Sequence, residues 1–204
     1  LSDIGWIKPN LRSKEDFRTT FYNKTSLELL NNLGILKKLK KNDFTTVKNI
    51  KVFGPNYNSP LEWDYNDSKR KFGAVIKNDI VLNIIEEQLK DIKQYDSFVN
   101  NTRCNNFERT LYLENKTVIN THLVLSADGK NSYLRKLLSV QTINKNTKHI
   151  AISGFLEQSK NHNSTAIQAF TNLGPIGILP YENKNLVNFV LSIEKTEFKK
   201  LLSK

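Results

Sequence analysis

The sequence predicts an α/β protein built from two domains that are interleaved along the chain. Residues 1–45 and 74–145 alternate helix-like and strand-like periodicity, which is typical of a domain with a parallel sheet, whereas residues 46–73 and 146–204 are mostly strand-like. Of the 204 residues, 38% are hydrophobic and 10% aromatic, so the chain can bury an ordinary core. Fibrous and wholly disordered classes are excluded by this composition.

The first half of the chain is predicted to contain two helices and several strands. Leucines recur every three residues over 26–39 and predict a helix with one buried face, in which Gly34 is a weak point. A second helix is expected over 78–91, capped by Asn78. The predicted strands are 47–53, 61–65 and 72–76, the last two paired through a turn at 66–68.

The second half is predicted to contain more strands than helices. Residues 122–127 form a short, continuous apolar run, as expected of a strand covered on both faces, and a helix is predicted over 132–138. The last quarter has four strand candidates at the spacing of an antiparallel meander, and Thr196 opens a last helix. The predicted strands of this half are 98–107, 110–113, 117–119, 150–156, 165–170, 175–179 and 186–193.

Cysteine and methionine usage bears on where the protein works and how its chain begins. The lone Cys104 cannot form an internal disulfide, so a reducing compartment, the cytoplasm, is expected. No segment approaches the ~18 apolar residues of a membrane-spanning helix. The chain contains no methionine, and we therefore expect Leu1 not to be the true beginning of the polypeptide.

The formal charge of +11 raises the question of a nucleic-acid partner, because basic surfaces bind phosphate backbones by releasing counterions. Only six of the 31 basic residues are arginines, and the lysines are scattered among many asparagines. The densest group, at 37–41, lies at the end of a predicted helix, where cations complement the helix dipole. A solvated helix end explains this group, and we expect no nucleic-acid partner.

The segment 126–135 is the best candidate for a site. In open α/β sheets, ligands bind beyond the carboxyl ends of strands, where Asp128 is expected, and Gly129 permits a tight turn close to a ligand. Ser132 could cap the following helix, and Arg135 could reach an anionic group. The alternative is an Asp-Gly turn followed by a capped helix with a surface arginine.

Three stretches resemble motifs of the flavin-dependent aromatic hydroxylases. Residues 126–135 resemble the Asp-Gly motif of that family, Ala-Asp-Gly followed by a serine and an arginine at fixed spacing. Residues 16–19, with Ser26 and Leu33-Gly34, look like the stretch in which an arginine approaches the flavin cofactor. Residues 169–180 look like the phenylalanine, glycine-proline, leucine-proline stretch of the ubiquinone-biosynthesis branch.

This resemblance implies a Rossmann-like FAD-binding domain, formed by 1–45 and 74–145, interleaved with an antiparallel-sheet substrate domain, formed by 46–73 and 146–204. It implies an enzyme that uses FAD, NAD(P)H and O2 to hydroxylate an aromatic, polyprenylated phenol. The substrate is nearly insoluble, so transient contact with a membrane surface, and with a complex of ubiquinone-pathway proteins, is expected. The implied cofactor-binding residues are Arg18, Asp128, Gly129 and Arg135, and the implied substrate-side residues are Gly174 and Pro175.

The cofactor carries the difficult chemistry in such enzymes, so no catalytic side chain is assigned. No metal site is expected either, because the three histidines lack the spacing of metal ligands. These histidines are His122, His149 and His162.

Two motifs of the family are absent from the sequence. No two of its eight glycines lie two positions apart, so the Gly-x-Gly-x-x-Gly turn that cradles the FAD pyrophosphate is missing, and there is no Gly-Asp pair. We therefore expect the chain to be the middle section of a longer monooxygenase. The alternatives are a related hydroxylase for another aromatic substrate and a non-catalytic remnant.

Overall fold

The chain divides into two compact units in a computed structural model that describes residues 4–8, 18–56, 59–64, 72–143, 145 and 147–203. The first unit consists of Leu1–Ser13 and Leu89–Lys145, and the second of Lys14–Gln88 and Asn146–Lys204. Residues 14–45 and 74–88 thus group with the C-terminal quarter of the chain. The assignment of one domain to FAD and the other to substrate stays a prediction.

The mixed α/β class is confirmed, with strands predominating among the described residues. The helices are α1 (Lys24–Asn32), α2 (Asn78–Gln88), α3 (Tyr133–Leu137) and α4 (Lys195–Leu202), and Leu36–Lys38 forms a 3-10 turn. The strands are β1 (Gly5–Ile7), β2 (Thr19–Asn23), β3 (Phe44–Val47), β4 (Asn49–Phe53), β5 (Leu61–Trp63), β6 (Gly73–Lys77), β7 (Lys93–Tyr95), β8 (Val99–Cys104), β9 (Arg109–Leu113), β10 (Val118–Thr121), β11 (His149–Glu157), β12 (Thr165–Thr171), β13 (Gly174–Pro180) and β14 (Leu186–Glu194).

A six-stranded sheet in the order β11-β14-β13-β12-β4-β5 dominates the second unit. The four strands predicted in the last quarter are confirmed, but their pairing as a simple meander is wrong. β12, β13 and β14 are antiparallel neighbours in sequence order, whereas β11 pairs with β14 along nine residues. β4 pairs in parallel with β12 and occupies the edge that β11 would take in a meander.

A smaller sheet in the order β2-β6-β3 completes the strands of the second unit. The predicted pairing of 61–65 with 72–76 is wrong: β5 pairs with β4, and β6 lies between β2 and β3. Burial explains this difference. Residues 73–76 are all buried, as a central strand requires, whereas all three residues of β5 are exposed, as befits an edge strand. The predicted turn at 66–68 lies outside the described residues.

The helix predicted over 26–39 is shorter than its leucine pattern. α1 ends at Asn32, because Gly34 has φ +75°, a left-handed conformation that terminates helices. The 3-10 turn at 36–38 follows, and Leu30 and Ile35 are both buried in one hydrophobic cluster. The second helix is confirmed as α2, in which Val81 joins the same cluster.

The first unit contains the antiparallel sheet β10-β9-β8, which confirms the strands predicted between 98 and 119, and a parallel pair of β1 with β7. Its core is formed by Val99, Leu111 and Leu113. Half-buried side chains of Val124 and Leu134 pack against this core.

The strand predicted over 122–127 is wrong. This segment pairs with no strand among the described residues, and only Val124 packs inward, while Leu123 and Leu125 are 71% and 80% exposed. A strand covered on both faces needs a layer on each side and hydrogen-bonded neighbours. Among the described residues, the side of the segment that carries Val124 is packed, whereas Leu123 and Leu125 are exposed.

Candidate functional site

Asp128 is exposed and its carboxylate caps the first turn of α3. Its Oδ2 atom accepts hydrogen bonds from the backbone N–H of Tyr133 at 2.7 Å and of Leu134 at 3.2 Å. Its Oδ1 atom accepts from the Ser126 hydroxyl at 2.6 Å. An anionic side chain at a helix N-terminus satisfies N–H groups that have no partner within the helix. The alternative interpretation of this motif, an Asp-Gly turn before a capped helix, therefore describes its local geometry.

Ser132 is the N-cap of α3, as predicted. It is buried, and its hydroxyl accepts from the backbone N–H of Arg135 at 3.0 Å. Ser126 and Ser132 hydroxyls lie 3.3 Å apart, so these two serines and Asp128 form one hydrogen-bonded group. We did not predict from the sequence that the Ser126 hydroxyl donates to Asp128. A serine two positions before an aspartate is the sequence feature that could have indicated this hydrogen bond.

Hydrogen bonding lowers the pKa of the Asp128 carboxyl. Desolvation raises the pKa of this carboxyl, but the hydroxyls of Ser126 and Ser132 and the backbone N–H of Leu134 outweigh it. These donors stabilise the charged form and hold the pKa of Asp128 well below its ordinary value of 3.8. The carboxylate therefore keeps its negative charge at acidic pH values at which an ordinary aspartate is protonated.

An Asp128→Asn variant is expected to lose stability relative to the wild type, and the loss should depend on pH. Because the folded-state pKa is lowered, the contribution of the carboxylate is fully present above the ordinary value of 3.8 and vanishes as the pH falls through the folded pKa. The difference in unfolding free energy between the two proteins, measured by urea titration, should therefore shrink between about pH 5 and about pH 2. An Asp91→Asn variant, with an exposed carboxylate of the same unit, gives the matched control. A pH-independent difference would contradict the role assigned to the carboxylate.

The turn that follows Asp128 offers groups that bind anions. Gly129 has φ +78°, and an added Cβ there would meet no atom within 4 Å, so glycine serves the turn conformation rather than close packing. The backbone N–H groups of Gly129, Lys130 and Asn131 donate to no partner among the described residues, and all three residues are exposed. These donors and the Lys130 ammonium suit the phosphate oxygens of a dinucleotide. The turn thus fits part of FAD, while the glycine-rich cradle for its pyrophosphate is absent from the sequence.

Arg135 is held close to this turn. Its guanidinium donates to the carbonyl oxygen of Lys130, so the side chain folds back over the loop that it follows. The structure therefore brings Asp128, Gly129 and Arg135 together in the first unit, as the motif predicts.

Arg18 lies in the second unit, immediately before β2. It is exposed, and its carbonyl oxygen accepts from the backbone N–H of Asn78 at 3.0 Å, which joins β2 to the beginning of α2. Asp16 and Phe17, which precede it in the resembling stretch, lie outside the described residues. Its role in FAD binding stays a prediction.

Gly174 and Pro175 begin β13 in the second unit. Gly174 has φ +131°, and an added Cβ would lie 2.0 Å from the carbonyl oxygen of Ser192 on β14. Glycine is therefore required here for close strand packing. Pro175 is exposed and pairs in register with the half-exposed Phe170 of β12. Their role on the substrate side stays a prediction.

Comparison with solved structures defines the class of fold. The chain superposes on PqsL, a probable FAD-dependent monooxygenase from Pseudomonas aeruginosa, with a TM-score of 0.81 and 11% identity, covering 98% of this chain and 56% of that one. It superposes on the p-nitrophenol 4-monooxygenase PnpA from Pseudomonas putida with a TM-score of 0.76 and 11% identity, covering 98% and 55%. The fold is therefore that of the FAD-dependent monooxygenases.

The sequence relatives of this chain include ubiquinone biosynthesis monooxygenases. The chain is 30% identical over 165 residues to the mitochondrial ubiquinone biosynthesis monooxygenase COQ6 of Caenorhabditis elegans, which covers 76% of this chain and 36% of that protein. The COQ6 of Drosophila melanogaster is 24% identical over 178 residues, covering 82% and 37%. No protein-family model matches. The chain is a homologue of the COQ6 ubiquinone biosynthesis monooxygenases, which confirms the predicted resemblance.

The chain spans about a third of the length of these curated relatives. Among the residues that the structure describes, none of the helices has the length and apolar character needed to cross a membrane.

Proposed function

We propose that this chain is part of an FAD-dependent monooxygenase that hydroxylates an aromatic, polyprenylated phenol in ubiquinone biosynthesis. The observation that carries the proposal is the sequence relationship to COQ6 proteins, which extends over three quarters of the chain. The superposition on FAD-dependent monooxygenases over nearly the whole chain supports it independently.

The residues of the first unit are proposed to hold part of the cofactor. Gly129 and Lys130 would donate backbone N–H groups to phosphate oxygens, and Arg135 would fix the loop through the Lys130 carbonyl. Asp128 would hold the turn on α3 and present its charge near the nicotinamide donor. Arg18 would bind the FAD pyrophosphate or adenosine. When bound, FAD supplies electron transfer to O2 and the delivery of one oxygen atom to the ring.

The second unit is proposed to bind the substrate on its six-stranded sheet, with Gly174 and Pro175 on that side. The electron donor is proposed to be NAD(P)H. Transient contact with a membrane surface and with other ubiquinone-pathway proteins would deliver the insoluble substrate. The relatives are named as mitochondrial proteins, and the cytoplasmic location expected from Cys104 stays a prediction.

Flavin content and flavin reduction of the complete product of the gene that encodes this chain test the proposal. Purified from cells, it should carry bound FAD, and NAD(P)H should bleach the flavin faster when a prenylated phenol is present. An Asp128→Ala variant should lose FAD affinity or flavin reduction. Unchanged FAD binding and unchanged reduction would remove Asp128 from the site.

A further inference from the structure

Gln168 lies at the border between the covered and uncovered parts of one face of the six-stranded sheet. On this face, one row of side chains packs against the small sheet through the cluster of Val47, Val75 and Tyr181. The members of this covered row include Ile50, Ala166, Leu179 and Phe155. Gln168 follows Ala166 by two residues on β12 and so belongs to the next row, on the same face.

The row that contains Gln168 crosses all six strands and has three aliphatic side chains. Its members, read from the register, are Leu61, Val52, Gln168, Gly177, Val190 and Ser153. Leu61 and Val190 are exposed, and so is Phe170, which lies two residues beyond Gln168 on the same face. This part of the sheet is therefore an open apolar platform on which Gln168 provides the carboxamide.

The neighbouring glycine shapes the platform around that carboxamide. Gly177 pairs directly with Gln168, and a Cβ added to Gly177 would have the Gln168 Oε1 atom as its one neighbour within 4 Å, at 3.7 Å. The carboxamide thus lies beside the flat surface that Gly177 leaves. It makes no hydrogen bond to any residue that the structure describes, although the side chain is half-buried.

We infer that Gln168 is a specificity-determining residue that hydrogen-bonds the phenolic hydroxyl of an aromatic ring lying on this platform. Ligand sites are typically concave and lined by apolar side chains, with a few polar groups that fix orientation. The platform shares this combination of aliphatic side chains and one carboxamide. The hydroxyl would donate to Oε1 and accept from Nε2, so a ring without an O–H group would leave the carboxamide incompletely paired. This inference rests on the proposed function for its substrate class.

The test measures dissociation constants of phenol and of anisole, its methyl ether without an O–H donor, for the complete gene product. The wild type should bind phenol about tenfold more tightly than anisole, and Gln168→Leu should abolish this preference. Gln168→Glu keeps an acceptor oxygen and should keep the preference. Gln94→Leu, on an exposed strand residue of the other unit, is the matched control.

An unchanged ratio of the two dissociation constants in Gln168→Leu would overturn the inference, and so would an equal loss in Gln94→Leu. Thermal unfolding of each variant shows that the compared proteins are folded. Because the readout is binding, it is independent of hydroxylation: a protein that shows the expected preference but oxidises no phenol would contradict the proposed function alone.

Discussion

Replacing Gly174 with alanine is expected to destabilise the second unit by about 2–5 kcal/mol, from steric overlap and an unfavourable backbone conformation together. The added methyl would lie 2.0 Å from the Ser192 carbonyl oxygen and 3.2 Å from its carbon, so a backbone segment of β14 would have to move. The φ of +131° adds strain for any residue with a Cβ. Urea unfolding monitored by circular dichroism measures the loss.

Gly54→Ala provides the control for this prediction. An added Cβ at Gly54 meets nothing within 4 Å, and its φ is not in the left-handed region. This exposed substitution should change the unfolding free energy by no more than about 0.5 kcal/mol. Equal effects of the two substitutions would show that the packing of β13 against β14 is not what requires glycine at 174.

The 204-residue chain purified alone is expected to retain no FAD and to hydroxylate no phenol. The turn at Gly129 offers donors for part of a dinucleotide, but neither Gly-x-Gly-x-x-Gly nor Gly-Asp occurs in the sequence. The dominant contacts to pyrophosphate and ribityl chain would therefore be missing. Absorbance of the purified chain in the visible range, after incubation with FAD and gel filtration, measures retention.

The complete gene product, treated in the same way, is the positive control for flavin retention. Circular dichroism of the 204-residue chain establishes that its secondary structure is present when retention is scored. A yellow, flavin-loaded chain would contradict the prediction and would place the main FAD contacts within these residues.

Local sequence patterns predicted most of the elements, but not the strands β1, β2 and β7. The alternation around Ile167, Ile178 and Phe189 marks strands that the structure confirms, and Ser132 caps α3 as predicted. These confirmed features depend on neighbours in sequence, namely side-chain periodicity and the bonding of the first helical turn. Asn78 is the first residue of α2, and its Oδ1 atom accepts from the Thr20 hydroxyl at 2.7 Å.

The sequence pattern could not predict which distant strands pair with each other. The partners of β5 and β6 were wrong because periodicity gives a strand its faces but not its neighbours. The strand predicted over 122–127 was wrong for a related reason. Apolar side chains indicate that a segment is buried but not which neighbours bury it, and the described structure buries part of Val124 but leaves Leu123 exposed.

The features of the candidate site also fall into two groups: those predicted from consecutive residues and those that depend on three-dimensional packing. The motif around Asp128 identified the turn, the cap and the family, because all of these are written in ten consecutive residues. The Ser126 hydroxyl on that carboxylate and the close approach of Gly174 to Ser192 arise from three-dimensional packing. Similarly, the position of Gln168 beside Gly177 depends on strand register, which the spacing along the chain does not specify.

Oxygen incorporation by the complete gene product tests the monooxygenase assignment most directly. The protein, supplied with NAD(P)H, isotopically heavy O2 and a prenylated phenol, should carry FAD and yield a phenol with one heavy oxygen atom on its ring, detected by mass spectrometry. A folded, flavin-loaded protein that consumes NAD(P)H but transfers no heavy oxygen to any phenol offered would contradict the assignment.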